Sequence, residues 1–208
     1  MIITKIERQK KNSLRRSIFV DDKYSFSVSE DIFVRCSLYE GMQISAEEKE
    51  QIIASETEQH VKRIALKFRS VRMRSTYEVI EYLKKKGFDE IMIERAVDFL
   101  QRNHLLDDKE FAHSFCRDRL TLKPIGIRSM KLELQKRGIE NALIDKVIQT
   151  YYTREKEQAL AEQEAEKKLK RLRSLPPLTQ KKRLFDHLVR KGYQNSLCLS
   201  IVNSMVKK

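Results

Sequence analysis

The feature that most constrains the fold of this chain is a short pattern that recurs three times around a glycine. Apolar residues continue in register after each glycine, at the fifth, sixth, ninth and tenth positions beyond it. The glycines lie 51 and 54 residues apart, which is long for a two-helix repeat and suits three helices. The three copies are Leu83–Phe88 (LKKKGF), Leu134–Ile139 (LQKRGI) and Leu188–Tyr193 (LVRKGY).

Each copy has the residues expected at the junction between two helices. The basic residues before the glycine suit the negative end of a helix dipole. The glycine supplies the left-handed backbone conformation that a side chain resists, and the apolar residue after it packs back. We therefore predict that Gly87, Gly138 and Gly192 each end a helix in this conformation. The Lys and Arg residues before them fit both C-terminal capping and ligand binding, and their recurrence does not separate the two.

A further helix precedes the glycine-terminated helix in the first copy. Its apolar stripe consists of Val61, Ile64, Ala65 and Phe68, which share one face at helical spacing. The segment Ser75–Glu78 then has the sequence of a capping box, which opens the next helix. The first repeat is therefore predicted to contain three helices in about 50 residues.

The second copy has the same organisation. The acidic segment Asp107–Glu110 predicts a helix N-terminus, because carboxylates favour the positive end of the helix dipole. Phe111, Phe115 and Leu122 or nearby residues are expected to face the core. Pro124 and the glycine two residues later break the chain before the helix that ends at Gly138.

The third copy begins with a highly charged helix, predicted over Glu155–Arg173. Its sparse apolar side consists of Leu160, Leu169 and Leu172. Pro176 and Pro177 are expected to close this helix, because proline cannot continue the hydrogen-bond ladder.

The N-terminal stretch has a different pattern. Ser17–Val20 and Tyr24–Val28 are strand-like runs around a hairpin turn at Asp21–Lys23, and Ile2–Glu7 is a candidate third strand. We read this element as a cap or docking element that packs on the helices or on a partner, since a lone hairpin is marginal in water. A short helix over residues 30–40, ended by Gly41, follows it, and a capping box at residues 45–48 leads into the first repeat.

Composition supports a helical fold, because the chain has only five Gly and three Pro while 35% of its residues are charged. The predicted fold class is all-α: three tandem three-helix repeats that form an elongated curved array, with a small N-terminal β-hairpin element. The predicted domains are residues 1–54 (strand-rich extension and linking helix), 55–105 (repeat 1), 106–153 (repeat 2) and 154–208 (repeat 3).

The net charge of +13 is concentrated in three blocks. Residues 1–50 are neutral overall, with nine basic and nine acidic side chains. Residues 61–74 contain six basic residues and no acidic residue. Residues 117–137 contain seven basic and two acidic residues, and residues 167–208 contain twelve basic residues and one acidic residue. Solubility alone explains a basic face, but separated blocks favour a surface that follows phosphates or another acidic partner.

Catalytic motifs are absent from the sequence. The four histidines are scattered, and there is no Gly-x-Ser-x-Gly, no Walker loop and no dinucleotide fingerprint. The adjacent Asp107 and Asp108 fit a helix start better than a metal site, because neighbours on a helix point in different directions. We therefore expect no enzyme activity, no cofactor and no metal.

Cysteine usage and hydropathy bear on the compartment. Cys36, Cys116 and Cys198 form no Cys-x-x-Cys pair, so we expect packed thiols in a reducing environment. No apolar run approaches the ~18 residues of a membrane span. The first residues lack the order of a secretory signal, which favours the cytoplasm.

Several motifs in this order resemble the RecX regulatory proteins of bacteria. The likeness is strong over residues 58–152 and looser in the third repeat, and the N-terminal hairpin resembles an extension found in some members. Members of that family often have Gly-Pro-Arg-Arg where this chain has Gly-Ile-Arg-Ser at residues 126–129, which leaves one positive charge fewer. The motifs are Arg74-Ser75-x-Tyr77-Glu78, Leu83–Phe88, Leu106-Asp107-Asp108-x-x-Phe111-Ala112, Gly126-x-Arg128 and Glu133–Ile139.

The resemblance implies a protein that binds the RecA recombinase in the groove of its filament on single-stranded DNA, and we expect it to be a monomer. Such a protein would inhibit RecA sterically, including its ATPase, strand-exchange and coprotease activities. The basic residues would contact DNA phosphates nonspecifically or acidic RecA surface. The candidate contact residues are Arg69, Arg72, Arg74, Lys84, Lys85, Lys86, Arg117, Arg119, Lys123, Arg128, Lys131, Lys136, Arg137, Lys170, Arg171, Arg173, Lys181, Lys182, Arg183, Arg190 and Lys191.

Two alternatives remain open at this point. The first is a free-standing helical protein that binds nucleic acid nonspecifically, with RecA irrelevant; no helix has the row of Arg, Asn and Gln expected of a sequence reader. The second is a structural adaptor for another acidic protein.

Overall fold

The computed structural model describes residues 1–10 and 12–206. The chain begins with an antiparallel sheet of order β1-β2-β3, formed by β1 (Ile3–Gln9), β2 (Asn12–Val20) and β3 (Lys23–Ser29). The β2–β3 turn is made by Asp21 and Asp22, whose φ angles of +50° and +63° are those of a primed hairpin turn. The predicted hairpin and the third strand are therefore confirmed.

Ten helices follow the sheet in the described part of the chain. The first is short, and the next nine form three consecutive groups of three. They are α1 (Glu30–Arg35), α2 (Ala46–Ser70), α3 (Thr76–Lys85), α4 (Glu90–Arg102), α5 (Asp108–Leu122), α6 (Ile127–Gln135), α7 (Asn141–Tyr151), α8 (Arg154–Lys170), α9 (Pro177–Arg190) and α10 (Asn195–Met205).

The chain divides into two compact units. One consists of Met1–Arg72 with Ile80–Asn103, and the other of Met73–Val79 with the described residues from His104 onward. The first unit holds the sheet and most of repeat 1 (α2–α4), and the second holds repeat 2 (α5–α7) and repeat 3 (α8–α10).

The repeated glycine ends a helix in all three repeats. Gly87, Gly138 and Gly192 have φ angles of +85°, +74° and +89°, as predicted. The N–H of the residue after each glycine donates to the carbonyl five residues back, at 3.4, 3.2 and 3.3 Å, which is the bond of a Schellman motif. The leucines that accept these bonds, Leu83, Leu134 and Leu188, are fully buried. The local sequence pattern thus produces the same turn between two helices in each of the three repeats.

The sheet packs on the long helix α2 through one buried carboxylate. Glu56 lies in the middle of α2 and is 7% exposed. Its Oε2 accepts bonds from the N–H and Oγ–H of Ser29, both 2.7 Å, and its Oε1 accepts from Arg15 at 2.7 Å. Because these three bonds join β2 or β3 to α2, this cluster holds the sheet against the first repeat.

Repeats 2 and 3 also meet through their backbones. The N–H of Gly126, at the start of α6, donates to the carbonyl of Lys191 at 2.8 Å. The N–H of Arg128 donates to the carbonyl of Gly192 at 3.1 Å. The start of α6 therefore lies directly on the glycine turn of the following repeat.

An equivalent contact is made by the first residues of α3. The hydroxyl of Ser75 donates to the carbonyl of Arg137 at 2.6 Å, and Tyr77 lies against Gly138. Ser75 also completes the predicted capping box with Glu78. Ser75 and Gly126 occupy the same repeat position, twelve residues before Gly87 and Gly138 respectively. Within the second unit, residues at this repeat position thus contact a glycine turn twice.

Two predicted helix ends were wrong. The helix predicted over residues 30–40 ends at Arg35, because Ser37 takes a left-handed φ of +47° and turns the chain earlier. Gly41 instead donates its N–H to Ile3 in β1 at 2.8 Å. The helix predicted over residues 155–173 ends at Lys170, before the two prolines, and Pro177 occupies the first turn of α9.

The prediction that Leu122 faces the core was also wrong. Phe111 and Cys116 are buried in the repeat 2 core, whereas Leu122 is 77% exposed. Leu122 is the last residue of α5, and no described element covers that end of the helix. Periodicity gives the face of a residue but not the extent of the element that covers it.

Candidate binding surface

No arrangement typical of metal or membrane sites occurs in the described residues. No group of three His, Cys, Asp or Glu side chains there could hold a metal ion, and none of the described helices is long and apolar enough to cross a bilayer. Asp107 caps α5 by accepting from the N–H groups of Lys109 and Glu110, as the helix-start interpretation predicts. Asp108 accepts from the N–H of Thr76 at 2.8 Å.

The cysteines have the properties of packed thiols. Cys116 and Cys198 are fully buried, and Cys36 is half-buried. Burial raises the pKa of the Cys116 thiol to about 12 and that of Cys198 to about 11. Both thiols are therefore protonated at neutral pH and poor nucleophiles.

The first group of candidate contact residues lies around α3. Arg69 belongs to the last turn of α2, and Arg72 and Arg74 follow it in the connection to α3. Lys84, Lys85 and Lys86 are all exposed at the end of α3. Lys84 lies 3.7 Å from Glu90, and such an exposed pair contributes little to stability.

The second group, on α5 and α6, contains three side chains held in internal ion pairs. The guanidinium of Arg119 forms a two-pronged contact with the Glu133 carboxylate. Arg137 donates to the carbonyl of Glu133 at 2.6 Å and lies 4.3 Å from the ring centroid of Phe115. Lys131 pairs with Asp145 on α7 at 2.6 Å. Arg119 and Arg137 therefore stabilise repeat 2 and are poorly placed to bind a ligand, whereas the more exposed Lys131–Asp145 pair contributes little to stability.

The remaining members of the second group are available to solvent. Arg117, Lys123, Arg128 and Lys136 are exposed, and none has an ion pair within the described residues. Arg128 donates to Asn195 on α10 at 3.3 Å, a long and exposed bond. Sequence position alone does not distinguish these four from the three that are engaged.

The third group belongs to the largest of the three basic blocks. Eight Lys or Arg and no acidic residue occur between Lys167 and Phe185. They lie at the end of α8, in the connection after it, and in the first half of α9, so they share one end of a packed helix pair. We call this the α8–α9 basic end. The candidates in it are Lys170, Arg171, Arg173, Lys181, Lys182 and Arg183, of which all but the half-buried Lys181 are exposed.

A buried carboxylate on α8 binds basic side chains near the other end of α9. Glu164 on α8 accepts from Lys191 at 3.1 Å, while Lys167 and His187 lie 3.7 and 3.6 Å away. Burial raises the pKa of Glu164, but the bond from Lys191 and the nearby positive charges outweigh it, so the pKa lies below its ordinary value. Lys191 therefore has a structural role, whereas Arg190 is exposed.

The buried glutamates of α8 were missed by the sequence analysis. Glu157, Ala161, Glu164 and Ala165 form the buried face of this helix. Glu157 accepts from the N–H of Ile127 at 3.3 Å; burial raises its pKa, partly opposed by this bond. The signal was present as an i, i+4, i+7 stripe of Ala and Glu, but a stripe without large apolar residues resembles a solvated face.

Four family models match the chain. They are described as the regulatory protein RecX N-terminal domain (residues 1–45) and the first, second and third three-helix domains of RecX (residues 62–100, 107–148 and 155–202). The regulatory protein RecX of Halalkalibacterium halodurans is 36% identical over 197 residues, covering 92% of this chain and 73% of that protein. The regulatory protein RecX of Bacillus licheniformis is 35% identical over 191 residues, with coverage of 92% and 72%.

Solved structures agree in fold. A crystal structure of regulatory protein RecX superposes with a TM-score of 0.73 at 26% identity, covering 99% of this chain and 98% of that chain. The crystal structure of RecX from Lactobacillus salivarius gives a TM-score of 0.64 at 22% identity, covering 73% and 97%, which shows the fold alone. Together with the sequence matches, these findings establish that the chain belongs to the RecX family of regulatory proteins.

Proposed function

We propose that this protein is a non-catalytic regulator that binds the RecA filament on single-stranded DNA and mostly inhibits it. Membership in the RecX family implies a role in RecA regulation. The observation that carries the proposal further is the α8–α9 basic end, where eight basic and no acidic residues occur within residues 167–185, at one end of the α8–α9 pair. Such a surface attracts DNA phosphates or acidic protein at long range.

The internal ion pairs reduce the set of candidate contact residues. Arg119, Lys131, Arg137 and Lys191 each neutralise a carboxylate of their own repeat. Exposed residues without such a partner have more charge to offer an external anion. We propose that contact is made mainly by Lys85 and Lys86 in repeat 1, Arg117, Lys123 and Lys136 in repeat 2, and Lys170, Arg171, Arg173, Lys182 and Arg183 in repeat 3.

Inhibition would be steric. A protein lodged in the filament groove occupies space that duplex DNA or a cleavable substrate needs, and it hinders filament growth and ATP turnover. This mode requires no covalent chemistry, cofactor or metal. We propose that the protein acts as a monomer in the cytoplasm, where RecA filaments form.

The test is a titration of RecA ATPase on single-stranded DNA. Near-stoichiometric protein should suppress ATP turnover, and simultaneous Lys181→Glu, Lys182→Glu and Arg183→Glu should weaken that suppression while leaving helicity unchanged. Unchanged turnover at about tenfold excess of the protein over RecA would overturn the proposal.

A second candidate function is nonspecific nucleic-acid binding without RecA, which the α8–α9 basic end also favours. This protein would bind single-stranded DNA tightly by itself. Its affinity would fall with salt at a slope of about −0.7 per neutralised phosphate in a double-logarithmic plot. Weak binding to naked DNA together with strong suppression of RecA ATPase would exclude this alternative.

A further inference from the structure

Repeat 1 has an open apolar groove of about 360 Å³ between α3 and α4. Its floor is formed by Ile93 and Val97, which are buried, and by the half-buried Ile80. Its wall carries the carboxylates of Glu90, Glu94 and Asp98 on successive turns of α4. The groove is thus lined with aliphatic side chains and edged with negative charge, on a chain whose net charge is +13.

The edge carboxylates are exposed and only weakly neutralised. Asp98 pairs with Arg102 along the same helix at 2.9 Å, and Glu90 lies 3.7 Å from Lys84. Glu94 stands between them and has no ion pair within the described residues. Exposed pairs of this kind contribute about 0–1 kcal/mol, so they exchange readily for a better partner.

In repeat 2 an ion pair occupies the positions that correspond to this groove. Counting back from the glycine, Ile80 corresponds to Lys131, and counting forward, Glu94 corresponds to Asp145. In repeat 2 these two positions form an ion pair of 2.6 Å that joins α6 to α7. An aliphatic residue at position 80 leaves the carboxylate without that partner and exposes the apolar floor beneath.

Repeat 3 replaces the pair by apolar residues. The corresponding positions are Phe185, which packs on the repeat 3 core, and Leu199. Neither the cation of repeat 2 nor the carboxylate of repeat 1 is present there. The combination of an open aliphatic floor with an edge carboxylate that has no ion pair, Glu94, is therefore a property of repeat 1 among the three described repeats.

We propose that this groove docks a segment of the recombinase that carries aliphatic side chains flanked by lysine or arginine. The inference rests on the proposed function and adds a second type of contact, distinct from the basic blocks. Charge complementarity selects the occupant: the carboxylates of Glu90, Glu94 and Asp98 repel phosphates and attract cationic side chains. The aliphatic floor favours a protein segment over a nucleic acid, since it offers no aromatic ring for a base to stack on.

Repeat 2 suggests a substitution that should cover the groove of repeat 1. Ile80→Lys places at position 80 the residue that repeat 2 has at 131, opposite the carboxylate that corresponds to Asp145. It should pair with Glu94, close the floor and preserve the fold. Glu94→Lys is a second variant at an exposed position, and Glu50→Lys on the exposed side of α2 makes the same charge change away from the groove.

Binding is measured with RecA assembled on single-stranded DNA and, separately, with the naked DNA. We expect Ile80→Lys to weaken filament binding about tenfold and Glu94→Lys about fivefold. Glu50→Lys should bind within about twofold of the parent protein. Both groove variants should bind naked DNA as tightly as the parent or more tightly, because each adds a positive charge. Weaker binding to the filament together with unchanged or tighter binding to naked DNA would identify the occupant of the groove as protein rather than nucleic acid.

Three results would overturn the assignment. The first is unchanged filament binding by both groove variants, while the charge-reversal variant at Lys181, Lys182 and Arg183 binds the filament more weakly. This result would rule out the groove as a docking site but leave the proposed function intact. A parent protein that fails to bind the filament would overturn both. A dimer in sedimentation velocity that Ile80→Lys abolishes would assign the groove to a second copy of this chain instead.

Discussion

The start of α6 touches the glycine turn of the next repeat at Gly126 and Gly192. A Cβ atom built on Gly126 would overlap the carbonyl carbon and oxygen of Gly192, and one built on Gly192 would overlap Ser129. Gly126 has an ordinary extended φ of −73°, so it is required here by space and not by backbone conformation. Two repeats are thus joined by a backbone contact that no side chain can enter.

Gly126→Ala is therefore expected to lower the free energy of unfolding by about 3 kcal/mol, because the overlap is with backbone that cannot move aside. Chemical denaturation measures the loss. Hydrogen exchange should show faster opening at residues 126–129 and 191–193 than elsewhere. A loss below about 0.5 kcal/mol would mean that the joint adapts to a side chain.

Gly87→Ala is the matched control. Gly87 has a φ of +85° but nothing within 4 Å of a built Cβ, so only the backbone strain applies. Its expected loss is about 1 kcal/mol. A loss equal to that of Gly126→Ala would contradict the distinction between space and conformation.

Glu56→Gln should loosen the sheet from α2 with a loss of about 2 kcal/mol. Burial raises the pKa of Glu56, but the two bonds from Ser29 and the charges of Arg15 and Arg63 outweigh it, so the pKa lies below its ordinary value. The stabilisation is present above the ordinary pKa and is lost as the pH falls through the lowered one. Urea unfolding with hydrogen exchange in β2 and β3 measures the effect.

Glu58→Gln is the control for that change. Glu58 lies two residues further along α2 and bonds to Lys62 and Arg95, but it is more exposed than Glu56. Its loss should stay below about 1 kcal/mol. Equal losses for the two variants would remove the special role assigned to Glu56.

Much of the fold could be predicted because its signals are local. The glycine turns, the capping boxes at Ser45 and Ser75, and the Asp21–Asp22 hairpin each depend on a few neighbouring residues. The end of α1 could not be predicted, because Ser37 takes a conformation that usually indicates glycine.

The candidate contact surface was less predictable, because it depends on which carboxylate lies nearby in space. Arg117 and Arg119 cannot be distinguished from the sequence. Arg117 is exposed, whereas Arg119 forms an ion pair with Glu133, fourteen residues further along the chain. The groove of repeat 1 depends on which side chain at position 80 or 131 lies opposite a carboxylate of the next helix, and this spatial relation is not visible in the sequence.

Substitutions of Arg117 and Arg119 test directly the distinction between exposed basic residues and those held in internal ion pairs. Arg119→Glu places a second carboxylate beside Glu133 and removes its partner, so the free energy of unfolding should fall by about 2 kcal/mol. Arg117→Glu should change it by less than about 0.5 kcal/mol and instead weaken filament binding. The opposite pattern would show that Arg119 is the contact residue.

Stability should fall as the pH decreases below about 6.5, in part through His187. Burial and the charges of Lys168 and Lys191 lower the pKa of His187 from 6.5, and they outweigh the nearby Glu164. The unfolded state then binds the proton more readily, so stability is lost as the pH falls through the unfolded pKa. The lowered pKa of Glu164 continues this loss below pH 4.5.

His187→Gln should reduce the slope of stability against pH between about pH 7 and 5.5, compared with the parent protein. Thermal unfolding at several pH values measures the difference. A variant with the parent slope would show that protonation of this imidazole is not opposed by the fold.

The most direct measurement is the steady-state ATPase rate of RecA on single-stranded DNA, titrated with the parent protein and with the Lys181→Glu, Lys182→Glu, Arg183→Glu variant. We expect suppression at near-stoichiometric parent protein, and we expect the variant to need a higher concentration for the same suppression. Full RecA turnover at about tenfold excess of correctly folded parent protein would contradict this expectation.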